Sequence, residues 1–326
     1  KSFISIRDIS RFAIFFEYFI QNTENWNYNA KEKIRFSLNM TLYLCYYLRL
    51  NNKDYRKELA KKLDSFFKER KFLLVPEQEV KKLTMKMCSE RGIALNTALK
   101  ENLFACFICI SNNVPIIIVG KPGTGKSLIS RILYSTLKGE YSEDYFFKDK
   151  GKLYRYYYQG SGISTIKEIK EVFKKAKKNN YKQNKKEKNK IINLVYFEEM
   201  GLIERTNVNS IQVINYILEN GEENSIVPFL GVSNYGINTA KINVALNLSI
   251  IDYYNIVDLE DTALDIAAGL DYNLANTYNY FFKVLARTYK EYIIYKQNSL
   301  KKEEKDFHCN IDFYYLIKNS IREMMI

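Results

Sequence analysis

One histidine in 326 residues, His308, excludes every site that needs two imidazoles. Cysteine is also scarce. Cys45, Cys88, Cys106, Cys109 and Cys309 are scattered and odd in number, in a chain far larger than a small secreted scaffold. That usage points to reduced thiols and a cytoplasmic setting. Cys106 and Cys109 form a C-x-x-C, but no second Cys or His pair answers it. The surrounding ENLFACFICI is apolar at helical spacing, so a buried helix face is favoured over a metal site. Long apolar runs are missing too. Phe104–Ile110 and Val114–Val119 fall far short of the ~20 residues that cross a bilayer, so no membrane span is expected. No charged-then-apolar leader opens the sequence. It begins on a lysine and is read as part of a longer polypeptide.

What is abundant is positive charge, +13 in all. Much of it sits in FKKAKKNNYKQNKKEKNK, Phe173–Lys190, which holds nine lysines against one glutamate. With little apolar content, this stretch reads as a solvated Lys/Asn-rich insertion. The remainder is only mildly basic, which weighs against nucleic acid as a partner. The 27 tyrosines belong to a general excess of Lys, Asn, Tyr, Ile and Phe and are poor evidence for base stacking. Length and a 47% hydrophobic share allow two or three compact units.

Three patterns follow one another. Residues 1–75 have helical spacing throughout, as in RDISRFAIFFEYFIQN, KIRFSLNMTLYLCYYLRL and KDYRKELAKKLDSFF. Pro76 after KFLLV marks a linker, taken as 76–93. Ala94–Ile110 then reads as a helix leading into a strand, and the pattern becomes strand, helix, strand, helix. Strands are predicted at Pro115–Val119, Leu153–Tyr158, Ile192–Phe197, Val227–Val232 and Leu246–Ile251. Helices are predicted at Lys126–Leu137, Ile166–Lys178 and Val208–Glu219. This alternation predicts an α/β unit over 94–254, a parallel sheet covered on both faces in three layers. Residues 255–326 return to helix. Asp8 in ISIRDISRF and Asp312 in CNIDFYYLI each open an amphipathic helix. Two helical segments therefore flank one α/β unit, as if the tail of one module preceded a complete second one.

Between the first strand and its helix stands Gly120-Lys121-Pro122-Gly123-Thr124-Gly125-Lys126-Ser127, followed by Leu128. It fits G-x-x-x-x-G-K-[ST] in full. Glycines let backbone N–H groups turn toward an anion, and the helix start adds its positive dipole end. Lys126 is placed to reach the β- and γ-phosphates and the Ser127 hydroxyl to bind Mg²⁺. The bland alternative, a tight turn with a chance lysine, does not explain the strand-to-helix context. Further along, IINLVYFEEM ends an apolar run on Glu198 and Glu199. Glu198 would hold the metal, usually through water, and Glu199 would act as general base toward the attacking water. IVPFLGVSN ends on Asn234, either a water-orienting amide or a turn former ahead of Tyr235-Gly236.

These stretches together resemble the AAA+ modules of mysterin-like E3 ubiquitin ligases. The resemblance rests on ALKENLF, VPIIIVGKPGTGKSL, QGSGIST, VYFEEMGL, ILENG, FLGVSNYGINTAKIN and the closing DFYYLIK. The opening SIRDISRF, YLCYYLRL and YRKEL are similar to the helical lid of a preceding module. The resemblance implies an AAA+ P-loop core with a five-stranded parallel sheet and all-helical lids, one module of several in a ring. It also implies binding of ATP and Mg²⁺ between core and lid. Gly120–Leu128 would then be the Walker A loop, Glu198 and Glu199 Walker B, and Asn234 sensor 1. Neighbouring AAA+ modules of the same chain, and the ubiquitin machinery through other parts of the parent protein, are the implied partners. The chain has no Cys/His array that would itself transfer ubiquitin. Where the family carries arginines, Val244, Ile250 and Ile311 stand here, while Arg7 precedes Asp8 and would serve the preceding module. Three functions are therefore compared: an ATPase module, a nucleotide-stabilised structural module without turnover, and a nucleic-acid-dependent motor supported by net charge alone.

Overall fold

A computed structural model describes residues 5–22, 29–67, 71–87, 90–183, 190–204, 210–219, 226–238, 241–251, 255–299 and 310–325. The helical start contains α1 (Ile6–Gln21), α2 (Ala30–Leu42), α3 (Lys53–Phe66) and α4 (Leu74–Met85), with a π-helical turn at Tyr43–Tyr47. Each of the first three begins on a side-chain cap: Ser5, Asn29 and Asn52 accept from backbone N–H groups of the first turn. The linker expected from Pro76 is a helix over its first part. Pro76 is the third residue of α4 and is buried. In a first turn the N–H that proline lacks has no intrahelical partner to lose.

The α/β part runs α5 (Thr97–Ser111), β1 (Ile116–Val119), α6 (Lys126–Thr136), α7 (Tyr145–Lys148), β2 (Lys152–Gln159), α8 (Ile166–Gln183) and β3 (Ile191–Glu198). It continues with α9 (Met200–Glu204), α10 (Ser210–Glu219), β4 (Phe229–Ser233) and β5 (Leu246–Ser249). All strand pairs are parallel and the sheet order is β2-β3-β4-β1-β5. The expected five-stranded parallel α/β core is thus present, with bounds shifted by a few residues. β4 starts at Phe229 rather than Val227, because Pro228 has no N–H to give the ladder. Its carbonyl still accepts from Val195 N at 3.0 Å. β3 and β4 are buried along almost their whole length, as strands covered on both faces must be. β2, at the sheet edge, carries the more exposed Tyr and Lys side chains.

The lysine-rich stretch is not all insertion. Phe173 to Gln183 complete α8, and Phe173 and Ala176 are buried. The Phe173 ring stacks on Phe229 at 5.8 Å, and Phe197 sits 5.8 Å from Phe173 and 5.5 Å from Phe229. Helical spacing sends these two side chains inward while the lysines around them face out. The rest of the expected insertion, 184–189, lies outside the described residues.

Two compact units divide the chain. The first comprises the described residues within Lys1–Cys88, Glu101–Gly120 and Lys126–Ile251. In it, Arg56 donates to Glu101 Oε2 at 2.8 Å and to Leu50 O at 2.9 Å, tying α3 to α5. Asp8, buried at the start of α1, receives Arg11 at 3.0 Å and Arg49 at 2.6 Å. Arg11 also reaches Asn243 O at 2.6 Å, ahead of β5. Arg7, which the resemblance assigns to a preceding module, pairs here with Glu219 of α10.

The second unit takes Ser89–Lys100, Lys121–Gly125 and Asp252–Ile326. It holds α11 (Ile256–Leu270), α12 (Tyr272–Thr277), α13 (Asn279–Ser299) and α14 (Asn310–Met324). Leu259, Ile266, Phe282, Phe313, Ile317 and Ile321 close its core. Asp258 receives Thr97 N at 3.1 Å and Thr97 Oγ1 at 2.9 Å. Asp8 and Asp312 each fall in a first helical turn, as their sequence echo suggests.

Candidate active site

Parallel strands bring all their carboxyl ends to one edge, and polar residues gather there. The loop after β1 bends at Gly123 (φ +78°) and Gly125 (φ +82°). Within it Thr124 Oγ1 donates to Lys121 O at 2.8 Å. An added Cβ on Gly123 would lie 2.3 Å from Ile311 Cγ1, so both the dihedral and the space demand glycine. Lys126 opens α6, is buried, and its ammonium donates to Gly120 O at 2.7 Å. Gly120 N in turn donates to Ser233 O at 3.1 Å, anchoring the loop's base on β4. Pro122 and Lys121 lie in the same turn, described with the second unit.

Glu198 ends β3, and Glu199 follows it with a left-handed backbone (φ +53°). Such a dihedral is costly for a residue with a side chain and is held only where the surroundings enforce it. Here Leu202 N bonds Glu199 O at 2.9 Å, starting α9. Gly160, beyond β2, approaches so closely that a Cβ on it would lie 2.6 Å from Glu199 O. The turn aims the Glu199 carboxylate at β4, where Asn234 Nδ2 donates to its Oε1 at 2.5 Å. Asn234 is therefore the amide partner of the Glu199 carboxylate. Ser233 Oγ, which accepts from Gly201 N at 3.0 Å and donates to Tyr235 O at 2.7 Å, fixes the neighbouring backbone.

Glu198 faces the other way. Tyr196 donates to its Oε1 at 2.6 Å and Tyr157 to its Oε2 at 2.9 Å. Burial first, then the Glu198 carboxylate, raise both phenols above their ordinary pKa, so they stay protonated and donate. Ser127, Leu128, Ser130, Arg131, Arg155, Tyr157, Tyr196 and Glu198 line one pocket of ≈ 410 Å³. Arg155 bonds Ser130 Oγ at 3.1 Å and lies 4.6 Å over the Tyr134 ring. Among the described residues no three His, Cys, Asp or Glu side chains form a metal cage. The hard oxygens of Ser127 and Glu198 in one pocket suit Mg²⁺, which keeps waters and takes few protein ligands. Cys106 and Cys109 are buried on α5, and burial drives both thiols up, so they are inert packing groups.

Tyr157, Tyr196, Ser130, Arg155 and Ser233 escape a motif reading. The signal for Tyr196 is its place two residues before Glu198, since strand alternation puts both on one face. Tyr157 pairs with Tyr196 in register. The positions where the resemblance expects arginines do carry apolar groups. Val244 N bonds Asn215 Oδ1 at 3.2 Å, Ile250 N bonds Val119 O at 2.7 Å, and Ile311 meets Gly123.

A family described as the RNF213 AAA domain matches residues 92–254. The human E3 ubiquitin-protein ligase RNF213 is 26% identical over 340 residues, covering 97% of this chain and 6% of the human protein. The mouse RNF213 is 26% identical over 339 residues with the same coverage. The zebrafish E3 ubiquitin-protein ligase rnf213-beta is 27% identical over 289 residues, 82% of this chain and 6% of its own. The chain thus spans about 6% of the length of these relatives. Among solved structures, PCH-2 of C. elegans is 13% identical at a TM-score of 0.37, covering 69% of this chain and 68% of its own. With half of its length matched by one domain family, and the remainder aligned with the same ligases, the chain belongs to the RNF213 AAA domain family.

Proposed function

We propose that this chain binds Mg-ATP at the loop Gly120–Leu128 and hydrolyses it, as one AAA+ module of a mysterin-like E3 ubiquitin ligase. The hydrogen bond from Asn234 to Glu199 carries the reading, because it supplies an oriented carboxylate beside the phosphate loop's anchoring strand. The loop amides and Lys126 bind the phosphate tail, and Ser127 and Glu198 hold Mg²⁺. Mg²⁺ held there would supply charge neutralisation toward the phosphate oxygens. Glu199 takes the proton of the attacking water, and Asn234 keeps that carboxylate in place. Residues 1–75 serve as the lid of a preceding module, and 255–326 as this module's own. Neighbouring modules and the ubiquitin machinery are reached through the rest of the parent chain.

A second reading, nucleotide binding without turnover, is favoured by the apolar Val244, Ile250 and Ile311 where cations would steady transition-state charge. Single-turnover ATP hydrolysis in the intact multi-module protein separates the two. Turnover that falls in Glu199→Gln while nucleotide stays bound supports hydrolysis. Equal, slow rates in both proteins support the structural role. Loss of nucleotide in Lys126→Ala is expected in either case, and its retention would sink both.

A further inference from the structure

Glu198 is one methylene longer than aspartate, and a longer carboxylate has more ways to miss a metal. Something must restrict it. Two phenols reach it, but they are not equivalent. The Tyr157 ring is about half exposed and its hydroxyl also reaches Gln159 Oε1. A hydroxyl has one proton, so Tyr157 divides it between a carboxylate and an amide oxygen. Tyr196 is 2% exposed, locked in the face of the sheet that meets α6, and its proton goes to Glu198 Oε1 at 2.6 Å. Ser127 and Ser130, from the start of α6, line the same pocket as Tyr196 and Glu198.

We infer that Tyr196 is a positioning residue of the cation site: its buried hydroxyl holds the Glu198 carboxylate in place in the pocket it shares with Ser127 before nucleotide arrives. This rests on the proposed Mg-ATP site. The phenol does not touch phosphate; it restrains a group that touches the metal. A short hydrogen bond from a neutral donor to a carboxylate is strong in a buried setting, and outer partners of this kind hold ligand geometry. The strand supplies the arrangement cheaply, because residues two apart share a face.

The test is equilibrium binding of a fluorescent ATP analogue to the intact multi-module protein, titrated with Mg²⁺ and repeated in EDTA. Tyr196→Phe keeps the ring that fills the core and removes one oxygen. The Mg²⁺ midpoint is expected to rise about tenfold, at the low end of what loss of an outer ligand partner costs. Affinity in EDTA is expected to stay at the wild-type value. Tyr157→Phe is expected to shift the midpoint far less, and Tyr196→Phe is expected to add nothing in a Glu198→Gln background. An unchanged midpoint in Tyr196→Phe overturns the positioning role while leaving Mg-ATP binding intact. So does an equal shift from Tyr157→Phe, or an additive shift in the Glu198→Gln background. A wild-type protein whose nucleotide binding ignores Mg²⁺ overturns the metal site and the inference together. The melting temperature without nucleotide, measured for each variant, distinguishes lost folding from lost metal coupling.

Discussion

The side-chain amide of Asn234, at the tip of β4, donates to Oε1 of Glu199, just past the tip of β3. The bond crosses between adjacent strands, and it holds a carboxylate whose own backbone is in the left-handed region. Two predictions follow from that pair. Asn234→Ala leaves Glu199 unrestrained and lowers single-turnover ATP hydrolysis. Glu199→Gln lowers it by about 10²-fold or more, the usual worth of a general base. Both variants retain nucleotide, as equilibrium binding will show.

The dihedral at Glu199 makes a separate prediction about stability. Glu199→Gly and Glu199→Ala remove the same carboxylate. Only alanine keeps a Cβ at φ +53°, so the glycine variant is expected to be more stable by about 1 kcal/mol. Denaturant unfolding of the two variants side by side gives the difference. Equal stabilities would mean the turn relaxes when the carboxylate leaves.

Gly123 and Ile311 permit a double-mutant cycle. Gly123→Ala places a Cβ 2.3 Å from Ile311 Cγ1 at a backbone φ of +78°. Ile311→Ala removes the atom it strikes. The cost of Gly123→Ala is therefore expected to fall in the Ile311→Ala background, to the roughly 1–2 kcal/mol of a left-handed L-residue. Thermal unfolding measures all four proteins. A cost that is the same in both backgrounds would show that the loop moves away from Ile311 freely.

Asp8 sets a pH dependence. Burial pushes its carboxyl up, but hydrogen bonds from Ser5 and the charge of Arg49 outweigh that and hold it below its ordinary value. A lowered folded pKa means that Asp8 contributes stability above its unfolded value. That contribution is lost as pH falls through the folded value. Wild type is expected to lose stability below about pH 4 more steeply than Asp8→Asn. Near neutrality Asp8→Ala removes the carboxylate paired with buried Arg11, which keeps its carbonyl partners, and is expected to cost about 3 kcal/mol. Urea unfolding across pH 3–7, with the range chosen to bracket the carboxylate values, tests both statements.

The lysine-rich half of α8 yields a contrast between neighbours. Phe173→Ala empties a position packed among Phe197 and Phe229 and is expected to cost about 3–5 kcal/mol. Lys174→Ala, on the outward side, is expected to stay within about 0.5 kcal/mol. Similar small losses in both would mean that this part of α8 carries no core.

Much of this was legible in residues alone, for identifiable reasons. β-branched runs ending at Gly120 and at Glu198 mark strands that stop where polar chemistry begins. The spacing from Gly120 to Ser127 fits a phosphate-loop pattern without any fold. Composition misled at Phe173, because a count of lysines hides the periodicity of the two apolar residues between them. Pro76 misled because a helix breaker in an interior is harmless in a first turn. Tyr196 escapes a motif reading: alternation places it on the face of Glu198, but its setting also depends on cross-strand register with Tyr157 and on a pocket shared with α6, neither of which is a local pattern. The left-handed turn at Glu199 likewise follows from Gly160 and α9 closing around it, and no feature of Glu-Glu announces it.

The one-way direction of the strands also has a consequence for evolution. β3 starts at Ile191, at the opposite edge of the sheet from the finishes at Val119, Glu198 and Ser233. Added length ahead of a strand start leaves the residues at the finishes where they are, so drift in size and composition is free to accumulate there. An insertion of even one residue after any of those three finishes would shift the Gly120–Ser127 loop, Glu199 or Asn234, and the proposed nucleotide site would be expected to fail with it.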